Sequence, residues 1–173
     1  MNEIAMVHEA LGNYVEAEPM LEELLQRRTL SLGSNHNDVI DTQINLAIVY
    51  RRIGKLEQAE NRCTRTLSLL NDQNRSQDDP MLLRCMTELS RIYLASDKIL
   101  QAESLARNTY EKSRLRFGAK NPKSLRRGQV LVECLGKLGR LDDAQTLSIS
   151  IVSSLQLALG QSHPDTLGAM DSL

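Results

Sequence analysis

The sequence repeats a short pattern about every 42 residues, and this period constrains the fold more than any other feature. Each copy has an apolar run, then a turn, and then an alanine followed by Glu or Gln. Self-similarity at such a period is typical of solenoids, in which each supersecondary unit buries its apolar face against its neighbours. The period therefore favours a binding protein over an enzyme. The aligned alanines lie 42, 43 and 42 residues apart, and they are Ala17, Ala59, Ala102 and Ala144.

Each repeat contains two apolar patterns with a helical period. In the second repeat the first pattern predicts a helix, helix A, from about Asp38 to Ile53, because apolar residues recur every three or four positions. Gly54 then predicts a turn, and the next pattern predicts a second helix, helix B, from about Leu56 to Leu70. Two antiparallel helices joined by a tight turn form a helix hairpin. The small residues that recur in both helices fit the close approach of such a pair.

A short linker with a glycine recurs between the hairpins. Gly can end the helix before it, and Pro can occupy the first turn of the helix that follows. His36 and His163 occupy the same position of this linker, so we interpret both as turn residues. The linker over residues 71–80 is polar and acidic and lacks Gly, and it accounts for the interval of 43 residues. We expect it to be the most elongated or mobile connection.

These residues resemble the tetratricopeptide repeat (TPR), and more narrowly its longer variant, as in the kinesin light chain. The Leu, small residue and Tyr of helix A, the Gly turn, the Ala-Glu of helix B and the Leu-Gly-x-x-His-Pro-x-Thr-Leu linker carry the resemblance. Asp97 in place of the turn glycine is a departure. The resemblance implies an all-α fold, a right-handed α-solenoid (superhelix) of stacked antiparallel helix hairpins. We predict one TPR array over residues 1–173, with units at about 1–37, 38–79, 80–121 and 122–163 and a half unit at 164–173.

Composition narrows the class of partner. The net charge is −1, from 21 basic and 22 acidic residues, so no electrostatic case exists for nucleic acid or an anionic membrane, and basic character would have to be local. The sequence shows neither a signal peptide nor a long apolar run, and we predict a cytoplasmic protein without a membrane partner. Cys63, Cys85 and Cys134 fall in apolar helical positions, which predicts core packing and a reducing compartment.

No pattern in the sequence predicts catalysis, a metal site or a cofactor. The three histidines are far apart and have no Cys or acidic partner at metal-ligand spacing. Gly136 and Lys137 do not form a phosphate loop, because the preceding Gly128 is eight positions before Gly136 rather than five. The carboxylates are spread over predicted helix surfaces. We therefore predict a non-enzymatic protein with no catalytic or metal-binding residue.

The resemblance implies that the A helices line a concave groove that takes an extended peptide or a partner helix. Asn45 occupies the position where the family often has an Asn that contacts the bound peptide backbone, and an amide offers both a donor and an acceptor. The arginines favour a peptide with acidic residues or a free carboxylate, unless Glu88 and Glu133 neutralise them within the protein. The predicted partner-binding residues are Asp41, Asn45, Ile48, Arg51 and Arg52 in the second unit, Arg84, Thr87, Glu88 and Arg91 in the third, and Arg126, Gln129, Glu133 and Lys137 in the fourth.

The predicted function is a protein-interaction scaffold or adaptor. The alternative is the C-terminal sensor or regulatory segment of a larger NLR-like (STAND) signalling ATPase, where similar arrays occur. The array also starts and stops within helices, which predicts either a fragment of a longer array or ends that stack on another copy. Such end-to-end self-association would use Val7 and Leu11 at one end and Leu167 and Met170 at the other.

Overall fold

The structure is a computed structural model that describes residues 13–170, apart from the side chain at position 165. Within this range the chain forms eight α-helices. The predicted helices Asp38–Ile53 and Leu56–Leu70 are both confirmed, with ends that agree within two residues. The helices are α1 (Tyr14–Leu32), α2 (Asn37–Arg52), α3 (Leu56–Asp72), α4 (Pro80–Ala95), α5 (Ile99–Phe117), α6 (Pro122–Lys137), α7 (Leu141–Leu159) and α8 (Pro164–Met170).

The described part of the chain forms two compact units, which divide between Arg75 and Ser76. In the described part of the first unit, α2 contacts both α1 and α3. In the second unit, each helix from α4 to α7 packs on the next one, and α4 also contacts α6. Two A helices, α4 and α6, are therefore direct neighbours within the second unit.

The turns follow the predicted signals. The side chain of His36 caps α2, because its Nδ1 accepts a hydrogen bond of 3.1 Å from the backbone N–H of Asp38. Gly54 has a φ of 81°, and Asp97, at the equivalent turn, has a φ of 58°. Asp is among the residues that tolerate this left-handed region, so the departure from Gly keeps the turn. The turn role of His36 is confirmed.

Small buried residues lie where the helices of a pair meet. Ala17, Ala59 and Ala102 are fully buried, and Ala144 is 8% exposed. A larger side chain at these positions would have to displace the facing helix, which is the physical reason for the repeated alanine.

The three cysteines are buried free thiols, as predicted. Burial, with smaller contributions from the charges of Glu133 and Glu103, raises the pKa of the Cys134 thiol to about 12. The reactive thiolate is therefore scarce at neutral pH, and core packing accounts for Cys134.

The altered linker makes its turn without glycine. Unlike Gly33, which combines a φ of 81° with a ψ of 155°, Asn74 has a φ of 51°, in the left-handed region. Asn adopts this conformation more readily than most residues. Within the first unit, the Gln73 side chain donates to the backbone oxygen of Asn35 at 3.1 Å. The start of this linker is thus held by side-chain contacts.

Asp79 begins the second unit's first helix, so we expect its removal to cost stability. Its Oδ1 accepts hydrogen bonds from the N–H groups of Met81 at 2.9 Å and Leu82 at 3.1 Å. Asp79→Ala should lower the free energy of unfolding by about 1 kcal/mol, measured by urea titration. Asp79→Asn keeps an acceptor and should retain most of the stability. An equal loss in both variants would contradict a capping role.

Candidate functional site

The predicted binding residues lie on three A helices, one in the first unit and two in the second. On α2, Asp41, Ile48 and Arg51 are half-buried and Arg52 is exposed. The Arg52 guanidinium carbon lies 5.7 Å from the ring centroid of Tyr14 on α1, in a cation–π contact. The surface of α2 in the first unit therefore offers both charges and one apolar side chain.

In the second unit, Arg84, Thr87 and Arg91 form one half-buried stripe along α4, since they are spaced by three and four residues. The neighbouring helix α6 carries a second stripe, in which Gln129 is half-buried and the other three members are exposed. Because α4 and α6 contact each other, the two stripes together form the candidate surface. The α4–α6 face is defined as Arg84, Thr87, Arg91, Arg126, Gln129, Glu133 and Lys137.

One of the predicted carboxylates is beneath this surface rather than on it. Glu88 is 3% exposed, and its Oε2 lies 3.8 Å from Nη1 of Arg91. Glu133 is exposed on α6. Glu88 thus compensates part of the Arg91 charge, which is what the neutralisation alternative predicts for this pair.

A second guanidinium, which the sequence reasoning missed, lies near the same place. Arg127 on α6 is half-buried, and burial together with the positive charge of Arg91 lowers the pKa of its side chain to about 10. Its Nη1 donates to the backbone oxygen of Lys123 at 2.8 Å and to Oγ of Ser113 at 3.3 Å. Its Nε is buried and has no hydrogen-bond partner among the described residues. The positive charge of Arg91 therefore acts on Arg127 as well as on the carboxylate of Glu88.

The position of Asn45 is buried in each of three equivalent helices. Asn45 is 6% exposed, Glu88 is 3% exposed and Val130 is 1% exposed. Contact of the Asn45 amide with a bound peptide stays a prediction. A ligand would have to reach a side chain that is almost covered in this state.

Two other classes of site can be assessed within the described range. No group of three or more His, Cys, Asp or Glu side chains among residues 13–170 is placed to hold a metal ion. Over the same residues, no helix combines the length and the apolar character that crossing a bilayer requires.

The ends of the chain fall only partly within the description. Val7 and Leu11, predicted for end-to-end self-association, lie outside the described residues. Leu167 and Met170 on α8 are 48% and 44% exposed. Exposure alone does not test self-association, which stays a prediction.

Comparison with known proteins agrees with the repeat architecture. Residues 1–72 match the family model of the tetratricopeptide repeat. A search of curated proteins gives no match.

Solved structures extend the likeness to almost the whole chain. A single-substitution variant of a Podosopora anserina protein with nearly identical TPR-like repeats of the kinesin light chain type is 22% identical, with a TM-score of 0.79, over 99% of this chain and 80% of its own. BtubC (BKLC) from P. vanneervenii is 19% identical, with a TM-score of 0.80, over 98% of this chain and 67% of its own. The predicted all-α, TPR-like fold of helix hairpins is confirmed. Proteins of this repeat type are generally interaction scaffolds.

Proposed function

We propose that this array of TPR-like hairpins is a non-catalytic scaffold that binds an extended peptide or a helix of a partner protein. The proposed site in the second unit is the α4–α6 face. Its support is the pair of neighbouring A helices, each with a stripe of polar side chains at helical spacing, on a fold whose relatives by structure include kinesin light chain repeats. On α2 of the first unit, the predicted residues stay proposed partner contacts.

A cluster of guanidinium groups is the observation that carries the choice of ligand. The positive charge of Arg91 lowers the pKa of the Arg127 side chain, and Arg84 and Arg126 are further arginines on the same two helices. A cation that is partly removed from water and faces a like charge gains more from an added anion than an exposed one does. We therefore infer that the partner segment carries Asp or Glu, or a free C-terminal carboxylate.

The remaining side chains of the face suit a peptide backbone. Gln129 on α6 supplies an amide with donors and an acceptor, and arginine can hold a carboxylate by two parallel hydrogen bonds. Such a site selects for charge and an extended backbone more than for one side-chain shape. Binding of several related acidic segments is the expected behaviour.

The test is charge reversal on α4 with an acidic probe. A fluorescent peptide of alternating Glu and Leu should bind the full chain. Arg84→Glu with Arg91→Glu should weaken peptide binding at least about tenfold, because two half-buried positive charges are replaced by negative charges that repel the peptide. Arg84→Ala with Arg91→Ala should show a smaller loss in the same direction. Fluorescence anisotropy measures both.

The matched control is Arg65→Glu with Lys98→Glu, which changes the net charge equally on residues outside the α4–α6 face. This control should bind the peptide like the parent chain, and circular dichroism should show that all variants fold. Unchanged affinity after reversal of Arg84 and Arg91 would refute the site. An equal loss of affinity in the control would show that net charge alone explains the effect.

A further inference from the structure

Positive charge is concentrated at one edge of the second unit. Residues 112–123 contain five Lys or Arg residues and no Asp or Glu, in a chain whose net charge is −1. The segment covers the end of α5, the linker to α6 and the start of α6. Most of it is exposed, including Arg114, Leu115, Arg116, Lys120 and Lys123. The near-neutral total therefore conceals a strongly basic local surface.

Part of this charge is compensated and part is not. Arg114 pairs with Glu111 at 3.2 Å and Arg116 pairs with Asp78 at 3.1 Å. Lys120 and Lys123 form no ion pair among the described residues. Ion pairs between exposed side chains are weak and easily exchanged for another anion. The surface thus keeps a positive potential that a negative partner can use.

An exposed apolar side chain lies in the same segment. Leu115, between two arginines in sequence, is 87% exposed. Further along α5, the Phe117 ring centroid lies 5.9 Å from Arg116, 5.4 Å from Lys123 and 5.7 Å from Arg127. Exposed cations and an exposed leucine in one segment match the two layers of a bilayer surface, since anionic headgroups attract the cations and the acyl boundary accepts the apolar side chain.

We propose that residues 112–123 form a membrane-binding surface, which attaches the chain to bilayers that contain anionic lipids. This basic–apolar surface consists of residues other than those of the α4–α6 face and adds lipid binding to the proposed scaffold function. It departs from the sequence-based prediction of no membrane partner, because that prediction rested on the net charge and the charge of this segment is local. Attachment is peripheral and reversible, because a few cations and one leucine give far less binding than a spanning helix.

The geometry argues against the other large polyanions. Binding of a single nucleic-acid strand combines a positively charged groove with open aromatic rings on which bases stack, whereas the Phe117 ring already contacts three cations. For an acidic peptide, the α4–α6 face offers side chains on two packed helices. In residues 112–123 the cations follow one another along the chain at an edge, which suits a plane of headgroups.

The experiment is co-sedimentation of the full chain with vesicles at low ionic strength. The chain should sediment with a three-to-one mixture of phosphatidylcholine and phosphatidylserine and stay in the supernatant with phosphatidylcholine alone. Each cation near an anionic surface contributes about fivefold to partitioning, so Lys120→Glu with Lys123→Glu should lower binding by more than about tenfold. Leu115→Ser should also lower binding, by a smaller factor, with the charge unchanged.

Controls separate this surface from net charge and from the peptide site. Arg65→Glu with Lys98→Glu has the same net charge as the lysine variant and should bind vesicles like the parent chain. Lys120→Glu with Lys123→Glu should still bind the acidic Glu–Leu peptide, so the lipid and peptide proposals can fail independently. Circular dichroism checks that each variant is folded.

Four outcomes would overturn the proposal. They are an absence of binding to the mixed vesicles, equal binding to neutral vesicles, an equal loss in the Arg65 and Lys98 control, and binding of an oligonucleotide or of polyglutamate through Lys120 and Lys123 with none to vesicles.

Discussion

Gly128→Val should lower the free energy of unfolding of the chain by about 3 kcal/mol, because the site has no room for a side chain. A Cβ at Gly128 would lie 2.7 Å from Cδ1 of Ile151 and 2.9 Å from Cε2 of Tyr110. The isoleucine end can rotate away, but the tyrosine ring is rigid and is packed between helices. Valine adds two further carbons to this clash. Chemical denaturation followed by circular dichroism measures the loss.

The repeat itself explains why this position needs glycine. Tyr110 stands where the equivalent residues of the first two B helices are Leu25 and Leu67, and Gly128 stands where the preceding A helix has Met86. A large residue on α5 is thus matched by the smallest one on α6. Tyr110→Leu should therefore rescue at least half of the stability that Gly128→Val removes, as expected when two substitutions share one space.

Gly136→Ala on the same helix is the matched control. No atom lies within 4 Å of a Cβ at this position. Alanine should raise the free energy of unfolding by about 0.5 kcal/mol, because it has a better helix propensity than glycine and the site is near the helix end. Losses of similar size at both glycines would show that helix geometry, rather than close packing, is responsible.

Arg127→Met should raise the free energy of unfolding by about 1–2 kcal/mol, although it removes two hydrogen bonds. The guanidinium is half-buried, its Nε has no partner among the described residues, and Arg91 repels it. Methionine keeps the length of the side chain and can pack against the Phe117 ring. The exposed neighbour provides the control, since Arg126→Met should change stability by less than about 0.5 kcal/mol.

The pH dependence of this gain follows from the pKa of Arg127. The folded-state pKa of Arg127 is lowered from its usual value to about 10, so the unfolded chain holds the proton more tightly. Below about pH 10 the side chain is charged in both the folded and the unfolded state, so the destabilisation from burying the charge is fully present. Above that pH the native chain releases the proton first, and the penalty declines. The advantage of Met over Arg should thus be constant near neutral pH and shrink in strong alkali. A loss of stability in Arg127→Met would contradict the penalty.

Local chemistry made most of the fold predictable from sequence. The cap by His36, the positive φ of Gly54 and the buried Ala59 depend on neighbours close in sequence, and the period of the repeat transfers each of them to the other hairpins. The helix ends were accordingly predicted within two residues. Repetition substitutes for an alignment in this respect, because each unit tests the interpretation of the others.

The candidate site was less predictable because a helical pattern gives the direction of a side chain but not the depth at which a neighbouring helix covers it. Asn45 and Glu88 were placed on the groove by register, yet both are buried. Arg127 was left out because its position is occupied by Thr42 and Cys85 in the preceding units, both buried. The signal in the sequence was an arginine at a position that is buried in the other units. The shared repeat pattern does not show such a change in a single unit.

The buried cysteines allow the opening of each compact unit to be measured separately. Cys63 lies in the first unit, and Cys85 and Cys134 lie in the second. A buried thiol reacts with an alkylating reagent only when its surroundings open, so the labelling rate of each cysteine reports the free energy of that local opening. Equal rates would mean that the two units unfold in one step. A faster reaction at one site would identify the unit that yields first, without any substitution in the chain.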